Sequence, residues 1–330
     1  MSMRNFKGLS LAILLLSAAC SKDKNSADKI GNWVKRSDLK GVARGEAVSF
    51  VIDGLAYMGS GYDGKKRLQD CWSYNPDTDD WKQVADIPGA ARSNAVGMAI
   101  GSKGYVGTGY DGVNYLKDFY EFDPVAQTWT KIADFGGSAR YDAVAFSAKN
   151  KGYVATGYDG NYLKDNWQYD PAIKQWKEMK GVQGTKRKDA SVFVINDIAY
   201  LVAGSNNGSA NVNEFYSYNG DTDTWTRLRE ISNVSSDSYD DNYNNIMSAN
   251  ASAFTIDGKG YLVNAAATWE YNPQNDLWTE KTALEGSARI SAIGFTVKNR
   301  GFFGTGLSGS LPFDDLREFQ PNATRNDKDN

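Results

Sequence analysis

The sequence predicts an all-β protein built from six four-stranded units around a common axis. Three recurrences carry that reading. Six tryptophans, Trp33, Trp81, Trp129, Trp176, Trp225 and Trp278, are separated by 48, 48, 47, 49 and 53 residues. Seven residues before each of the last five stands another aromatic, Tyr74, Phe122, Tyr169, Tyr218 or Tyr271. Upstream in every unit a small residue is followed three places later by a large one: Ala47 and Phe50, Ala95 and Met98, Ala143 and Phe146, Ala190 and Phe193, Ala251 and Phe254, Ala292 and Phe295. The composition agrees, since 13% aromatic residues with 33 glycines and only 7 prolines is an ordered, β-leaning chain.

Each unit divides into strands a to d. Strand a is the alternating run just named, and small side chains suit an innermost strand where sheets converge and space tapers. A short turn leads to strand b at Tyr57-Met58-Gly59, Tyr105-Val106-Gly107, Tyr153-Val154-Ala155, Tyr200-Leu201-Val202, Tyr261-Leu262-Val263 and Phe302-Phe303-Gly304. Strands c and d flank the turns Asn75-Pro76, Asp123-Pro124, Asp170-Pro171, Asn219-Gly220 and Asn272-Pro273. There Pro fixes φ and Asn or Asp closes the turn. Trp72, Trp167 and Trp269 fall in one column with Tyr120 and Tyr216, so all nine tryptophans are placed. The sixth unit stops at Phe319-Gln320-Pro321 without its tryptophan, and Trp33 has no strands before it. The segment around Trp33 therefore supplies strand d of the last unit, closing a ring and removing its two open edges. The expected architecture is one six-bladed β-propeller over residues 32–321, followed by a disordered polar tail at 322–330.

A strand ending in glycine with a downstream aromatic and tryptophan at this period resembles the Kelch repeat family. The family's adjacent glycine pair appears here spaced, as Gly59-Ser60-Gly61, Gly107-Thr108-Gly109 and Gly304-Thr305-Gly306, and degrades in blades three to five. The resemblance covers nearly the whole chain beyond residue 31 and is similar to that of secreted bacterial Kelch lipoproteins, often labelled galactose-oxidase-like after that family's central propeller.

The N-terminus reads as an address. Arg4 and Lys7 precede the apolar run Leu9–Leu16, which is too short to span a bilayer. Ser17-Ala18-Ala19-Cys20 then resembles a bacterial lipobox, with Leu16 one place earlier than usual. Residues 1–19 are expected to be a signal peptide, and 20–31 a lipidated cysteine, Cys20, and its flexible tether. The predicted location is the bacterial cell envelope, on the outer membrane, with membrane contact through the lipid alone. Loss of residues 1–19 would change the net charge from −3 to −5. Cys71 is then left without a disulfide partner and reads as a packed thiol.

The residue counts exclude several chemistries. There is no histidine among 330 residues, so no Ser-His-Asp or Cys-His machinery and no imidazole metal site can form. Galactose oxidase activity, which in that family uses histidine ligands to copper, is excluded on the same ground. With 37 basic and 40 acidic residues no nucleic-acid footprint is evident. No cofactor is expected. Nor is a metal, since the spacing of Asp237, Asp240 and Asp241 matches no calcium loop.

Antiparallel order puts the d–a and b–c loops on one face, and this face is the richer. Arg44, Arg92, Arg140, Arg187 and Arg289 stand at the entry to strand a, with Ser248 in blade five. Two places on come Glu46, Asn94, Asp142, Asp189, Asn250 and Ser291. The b–c loops carry Tyr62-Asp63-Gly64, Tyr110-Asp111-Gly112 and Tyr158-Asp159-Gly160. In animal Kelch adaptors similar arginines and loop tyrosines contact acidic peptides, so resemblance assigns the five arginines and Tyr62, Tyr110 and Tyr158 to ligand binding. Arg offers a planar fork for carboxylates and Tyr a flat contact of low entropy. A repeating arginine beside a carboxylate can equally be scaffold, and Asp-Gly pairs can simply make turns. Blade five departs from the repeat, with a long d–a connection at 231–247 and almost no b–c loop.

The expected function is a non-catalytic, monomeric binding module that holds a protein, a peptide or an acidic glycan on this face. The alternative, by resemblance to the sialic acid mutarotases, is anomer exchange with Glu46, Asp142 and Asp189 as acid and base groups, since such chemistry needs only a proton donor and acceptor.

Overall fold

The chain folds as six four-stranded antiparallel sheets in a closed ring, seen in a computed structural model that describes residues 29–207, 211–229, 246 and 248–329. Blade one runs through Val48–Ile52, Leu55–Gly59, Cys71–Asn75 and Asp80–Val84, and blades two to five repeat that order. The innermost strands contact one another round the ring. Along each of them alternate side chains line the axial channel, Ser49 and Val51 in blade one, while Val48, Phe50 and Ile52 are buried between blades.

The ring closes as the tryptophan count implies. Asn32–Arg36 pairs with Leu316–Gln320 in the register Trp33 to Phe319, making strand d of blade six. The other five aromatic–tryptophan pairs lie directly opposite across strands c and d, as Tyr74 to Trp81 and Phe122 to Trp129, with ring centroids 4.6–5.1 Å apart. In four of the five, Trp278 being the exception, the indole N–H then reaches back to the preceding blade. Trp81 donates to the Ser37 carbonyl at 3.0 Å, Trp129 to Ala85 at 2.9 Å and Trp225 to Lys180 at 2.8 Å. One residue thus fills the space between blades and satisfies its own polar atom, which is what a buried indole needs.

The small–large spacing in strand a has a similar cause. Phe50 stacks on Tyr57 of its own blade at 5.3 Å, and Phe146, Phe193, Phe254 and Phe295 repeat the stack. The edge of Phe50 also presses on Gly104 of the next blade, where an added Cβ would lie 2.3 Å from the ring. The spaced glycines divide their work. Gly61 has a φ of +105°, and a Cβ there would meet the Gly45 carbonyl at 2.7 Å. Gly109, Gly157, Gly204 and Gly306 share that backbone, so the second glycine persists in blades three and four where the first gives way to Ala155 and Val202.

Three features differ from the sequence reading. Residues 322–329, expected as a disordered tail, lie against the outer strand of blade six: Lys35 N–H donates to the Asp329 carbonyl and Asn326 N–H to Asn32. They cover an edge that would otherwise be open. Lys29 to Gly31, at the end of the expected tether, are bonded to Thr282 and Ala323. The b–c loop of blade six carries an extra hairpin, Leu307–Ser308 with Leu311–Pro312. Cys71 is buried and unpaired, and burial pushes its thiol up to about 12, consistent with a packed and unreactive group. Residues 1–28, including Cys20, and nearly all of the 231–247 connection lie outside the described residues. Ile246, from its end, is buried in the core cluster that holds Phe215, Trp269 and Trp278.

Candidate functional site

On the face formed by the d–a and b–c loops the channel opens through a ring of six residues, Glu46, Asn94, Asp142, Asp189, Asn250 and Ser291. All six have left-handed backbones, with φ between 52° and 59°. The ring is held by its own hydrogen bonds. Glu46 N–H donates to the Ser291 carbonyl, Asn94 to Glu46, Asp142 to Asn94, Asp189 to Asp142, Asn250 to Asp189 and Ser291 to Asn250, at 2.9–3.2 Å. Asn and Asp tolerate this conformation best, which accounts for four of the six. The cavity behind the ring measures about 130 Å³ and is floored by six alanines.

The five arginines lie one layer below, and the structure corrects their expected role. Arg44, Arg92, Arg140, Arg187 and Arg289 are at most 3% exposed. Each pairs with an acid at the start of strand c. Arg44 with Asp70, Arg92 with Asp118, Arg140 with Asp165 and Arg289 with Asp315 are two-nitrogen forks. Arg187 sets one nitrogen on the Glu214 carboxylate and the other on the Glu214 carbonyl. Arg92 is representative. Its two terminal nitrogens reach Asp118 at 2.7 and 2.8 Å, one also donates to the Thr108 carbonyl, and Nε donates to the Ala90 carbonyl. The side chains tie strand-a entry to strand-c entry within a blade and face no solvent.

These pairs set an acid limit on stability. Burial alone would raise the Asp70, Asp118 and Asp315 carboxyls, but the guanidinium hydrogen bonds and charges outweigh it and hold all three below the usual range. A depressed folded pKa contributes stability that is present above the unfolded value, about 3.9, and is lost as pH falls through the folded value. The urea midpoint should therefore be flat above about pH 5 and drop steeply below about pH 4. A midpoint that stayed level to pH 3 would mean that the pairs carry little of the folding energy.

The aspartates of the Asp-Gly loops make turns. Asp63 accepts the N–H groups of Lys65 and Lys66, Asp111 those of Val113 and Asn114, and Asp159 that of Asn161. The three loop tyrosines are brought together with others that the sequence reading passed over. Tyr110, Tyr115, Tyr141, Tyr158 and Tyr162 form a continuous, half-buried cluster with ring centroids 5.1–6.2 Å apart. Arg67 extends it to blade one, lying 4.5 Å over Tyr110 and 5.4 Å over Tyr62. The result is an arc of aromatic rings over blades one to three, beside the channel mouth.

Lys188 joins the arc to the ring. Its ammonium is 2.9 Å from Asp142 and 3.4 Å from Asp189, and lies 4.9 and 5.7 Å over the rings of Tyr141 and Tyr158. The Ser205 hydroxyl donates to Asp189 at 3.2 Å. Burial, and then the neighbouring Asp189 charge, push the Asp142 carboxyl well above its ordinary range despite Lys188. Lys188 is held above its own ordinary range, chiefly by Asp142 working against the cost of burial. Two carboxyls thus lie side by side at an open mouth with one ammonium bridging them, and burial disfavours the charged form of Asp142. Glu46 lines the same ring on the side of blade one. Among the described residues no group of three or more acids or cysteines is arranged to hold a metal ion.

A Kelch motif is recognised over residues 186–231, which is blade four and the approach to it. The chain superimposes on the solved structure described as "Structure of YjhT" with a TM-score of 0.70 at 14% identity, covering 84% of this chain and 95% of that one. At that identity the similarity speaks for the fold. No curated protein sequence matches the chain.

Proposed function

We propose that this Kelch-type six-bladed propeller is a non-catalytic binding module that holds its ligand on the d–a and b–c face. The observation that carries the reading is the arc of half-buried tyrosines beside the channel mouth. Tyrosine presents large, rigid contact area at little entropic cost, and here each ring is braced by the next. The Kelch motif and the propeller fold are compatible with an interaction module or with a mutarotase-like propeller.

The chain enters the described fold at the opposite face, since Asn32 lies across from Gln320 at the c–d end of blade six. A lipid on Cys20, as the sequence leads one to expect, would be tethered to the propeller from the face opposite the tyrosines. The test is thermal melting of the protein against sialic acids, uronates, neutral oligosaccharides and acidic peptides. A ligand at a hundredfold over its Kd adds about 2.7 kcal/mol. The expected result is a shift that disappears when Tyr110 and Tyr158 are both changed to Ala. A shift untouched by that double change would put the ligand elsewhere.

A second reading is favoured by the Asp142–Asp189–Lys188 cluster. Burial raises the Asp142 carboxyl beside Asp189, with Lys188 bridging the two, and a proton donor and acceptor at one mouth are the minimum for exchanging the anomers of a sugar. Saturation-transfer NMR on an equilibrating free sugar decides between the two. Accelerated exchange that is abolished in Asp142→Asn, with the melting temperature kept, would make the protein an enzyme. The binding reading expects no acceleration in any variant.

A further inference from the structure

Beyond the arc, a groove of about 470 Å³ lies between the b–c loops of blades three and four. We infer that this groove is a subsite for a neutral, hydroxyl-rich saccharide, bound against Tyr158 and Tyr162. The inference rests on the proposed use of this face and names the chemistry of the ligand.

Its size falls in the range of small-ligand clefts, about 300–1,000 Å³. The two rings meet edge to face at 5.2 Å and 76°, so their positions are fixed by each other rather than by a ligand. Asn161, from the same loop, and Asn207 and Thr185 also line the groove. Amides offer both donors and acceptors, which suits vicinal hydroxyls that are themselves both. Thr185 is pinned by donating its N–H and its hydroxyl to Glu214, at 2.8 and 3.0 Å, which leaves the hydroxyl oxygen as an acceptor. A stacked ring flanked by uncharged polar groups already in place is a site that costs little to organise.

The charges argue against an anion. The arginines that could clamp a carboxylate are buried on their own acids. The nearby rim carries Glu46, Asp142 and Asp189; Lys188 is paired with the two aspartates, and Arg67 lies over Tyr62 and Tyr110 at the far end of the arc. The cation of the groove, Lys186, is exposed, where water and salt screen it.

The experiment is binding of the full chain to an array of neutral hexose, pentose and N-acetylhexosamine oligosaccharides together with uronate and sialylated ones, followed by calorimetry on the best hit. Neutral glycans should bind, uronates and sialosides should be weaker, and Tyr162→Ala and Asn207→Ala should each weaken the neutral hit at least tenfold with melting unchanged. Asn207 is exposed, so its variant tests the groove even if Tyr162→Ala folds poorly. Silence of every neutral glycan, or tighter binding of an anionic one, overturns the inference. If an acidic peptide binds instead and Tyr110→Ala with Tyr158→Ala removes it, the saccharide class falls while the binding face stands. A neutral glycan indifferent to Tyr162 and Asn207 moves the sugar out of this groove.

Discussion

Replacing Arg92 by methionine should cost about 3–5 kcal/mol of stability, the range for removing one partner of a buried ion pair. The cost comes from what remains. Asp118 would keep its place at the start of strand c, still bonded to the Tyr120 hydroxyl at 2.9 Å but with its two strongest donors gone. The Thr108 and Ala90 carbonyls would each lose a donor in the same step. Changing Asp118 to leucine in that background should recover more than half of the loss, because burying neither charge is cheaper than burying one. Urea unfolding of the two variants measures both numbers. The same pair of proteins settles what the arginine layer is for. If Arg92→Met melted like the parent and lost only ligand, the arginine would be a binding group and the scaffold reading would be wrong.

The arginine layer also marks where sequence reasoning ends. Its periodicity was plain from Arg44 to Arg289, and so was the ring of Glu46, Asp142 and Asp189 two places on. What periodicity cannot convey is depth. The acids that bury the arginines, Asp70, Asp118, Asp165, Glu214 and Asp315, lie 25 to 27 residues downstream, and the fold alone brings them back. The propeller was legible because its signals are large aromatic residues in fixed columns. The site was less so because its members stand in columns that do not repeat. Between the arginine and the acid the six blades read Gly45, Ser93, Tyr141, Lys188, Ala249 and Ile290. The two that matter, Tyr141 and Lys188, are the large polar departures, and they meet on the face at 4.9 Å. Likewise Arg67, Tyr115 and Tyr162 each precede a leucine, Leu68, Leu116 or Leu163, and each bridges the loop tyrosine across a small hairpin. A search for large side chains where the repeat has small or variable ones would have found all five.

This division of labour has a physical basis. Identical groups repeated once per blade hold the blades in shape: the indoles between them, the guanidiniums within them, the left-handed ring at the mouth. The tyrosine, Arg67 and Lys188 departures of blades one to four break that symmetry on one sector of one face, next to the altered loops of blades five and six. An asymmetric ligand needs asymmetry of this kind, and the tyrosines and Lys188 supply it without disturbing the repeat beneath.

Changing Trp33 to alanine should destabilise the protein by about 3–5 kcal/mol, as for other buried tryptophans, but by a different route from its five counterparts. Trp33 is fully buried, packed on Phe319 at 4.8 Å, Phe303 at 6.1 Å and Phe254 at 6.2 Å, and its indole N–H reaches the Thr268 hydroxyl and the Thr282 carbonyl at 3.3 Å. Trp81, at 2% exposure, sits in the same column with the same chemistry. The difference is covalent. Trp81 is held by a hairpin to its own strand c, whereas Asn32–Arg36 reaches strand c of blade six only through space. Loss of Trp33 should therefore let this strand leave while blades one to five stay folded. Hydrogen exchange should speed up selectively at Asn32–Arg36 and at the partner Leu316–Gln320, and Trp81→Ala should show no such selectivity. A chain starting at residue 37 carries the argument to its limit, because strand c of blade six becomes an exposed edge open to pairing with a second copy. Sedimentation should find it associated, and a synthetic peptide of residues 29–37 should return it to monomer. A truncated chain that stays monomeric and melts like the parent would show that the ring does not need its N-terminal strand to close.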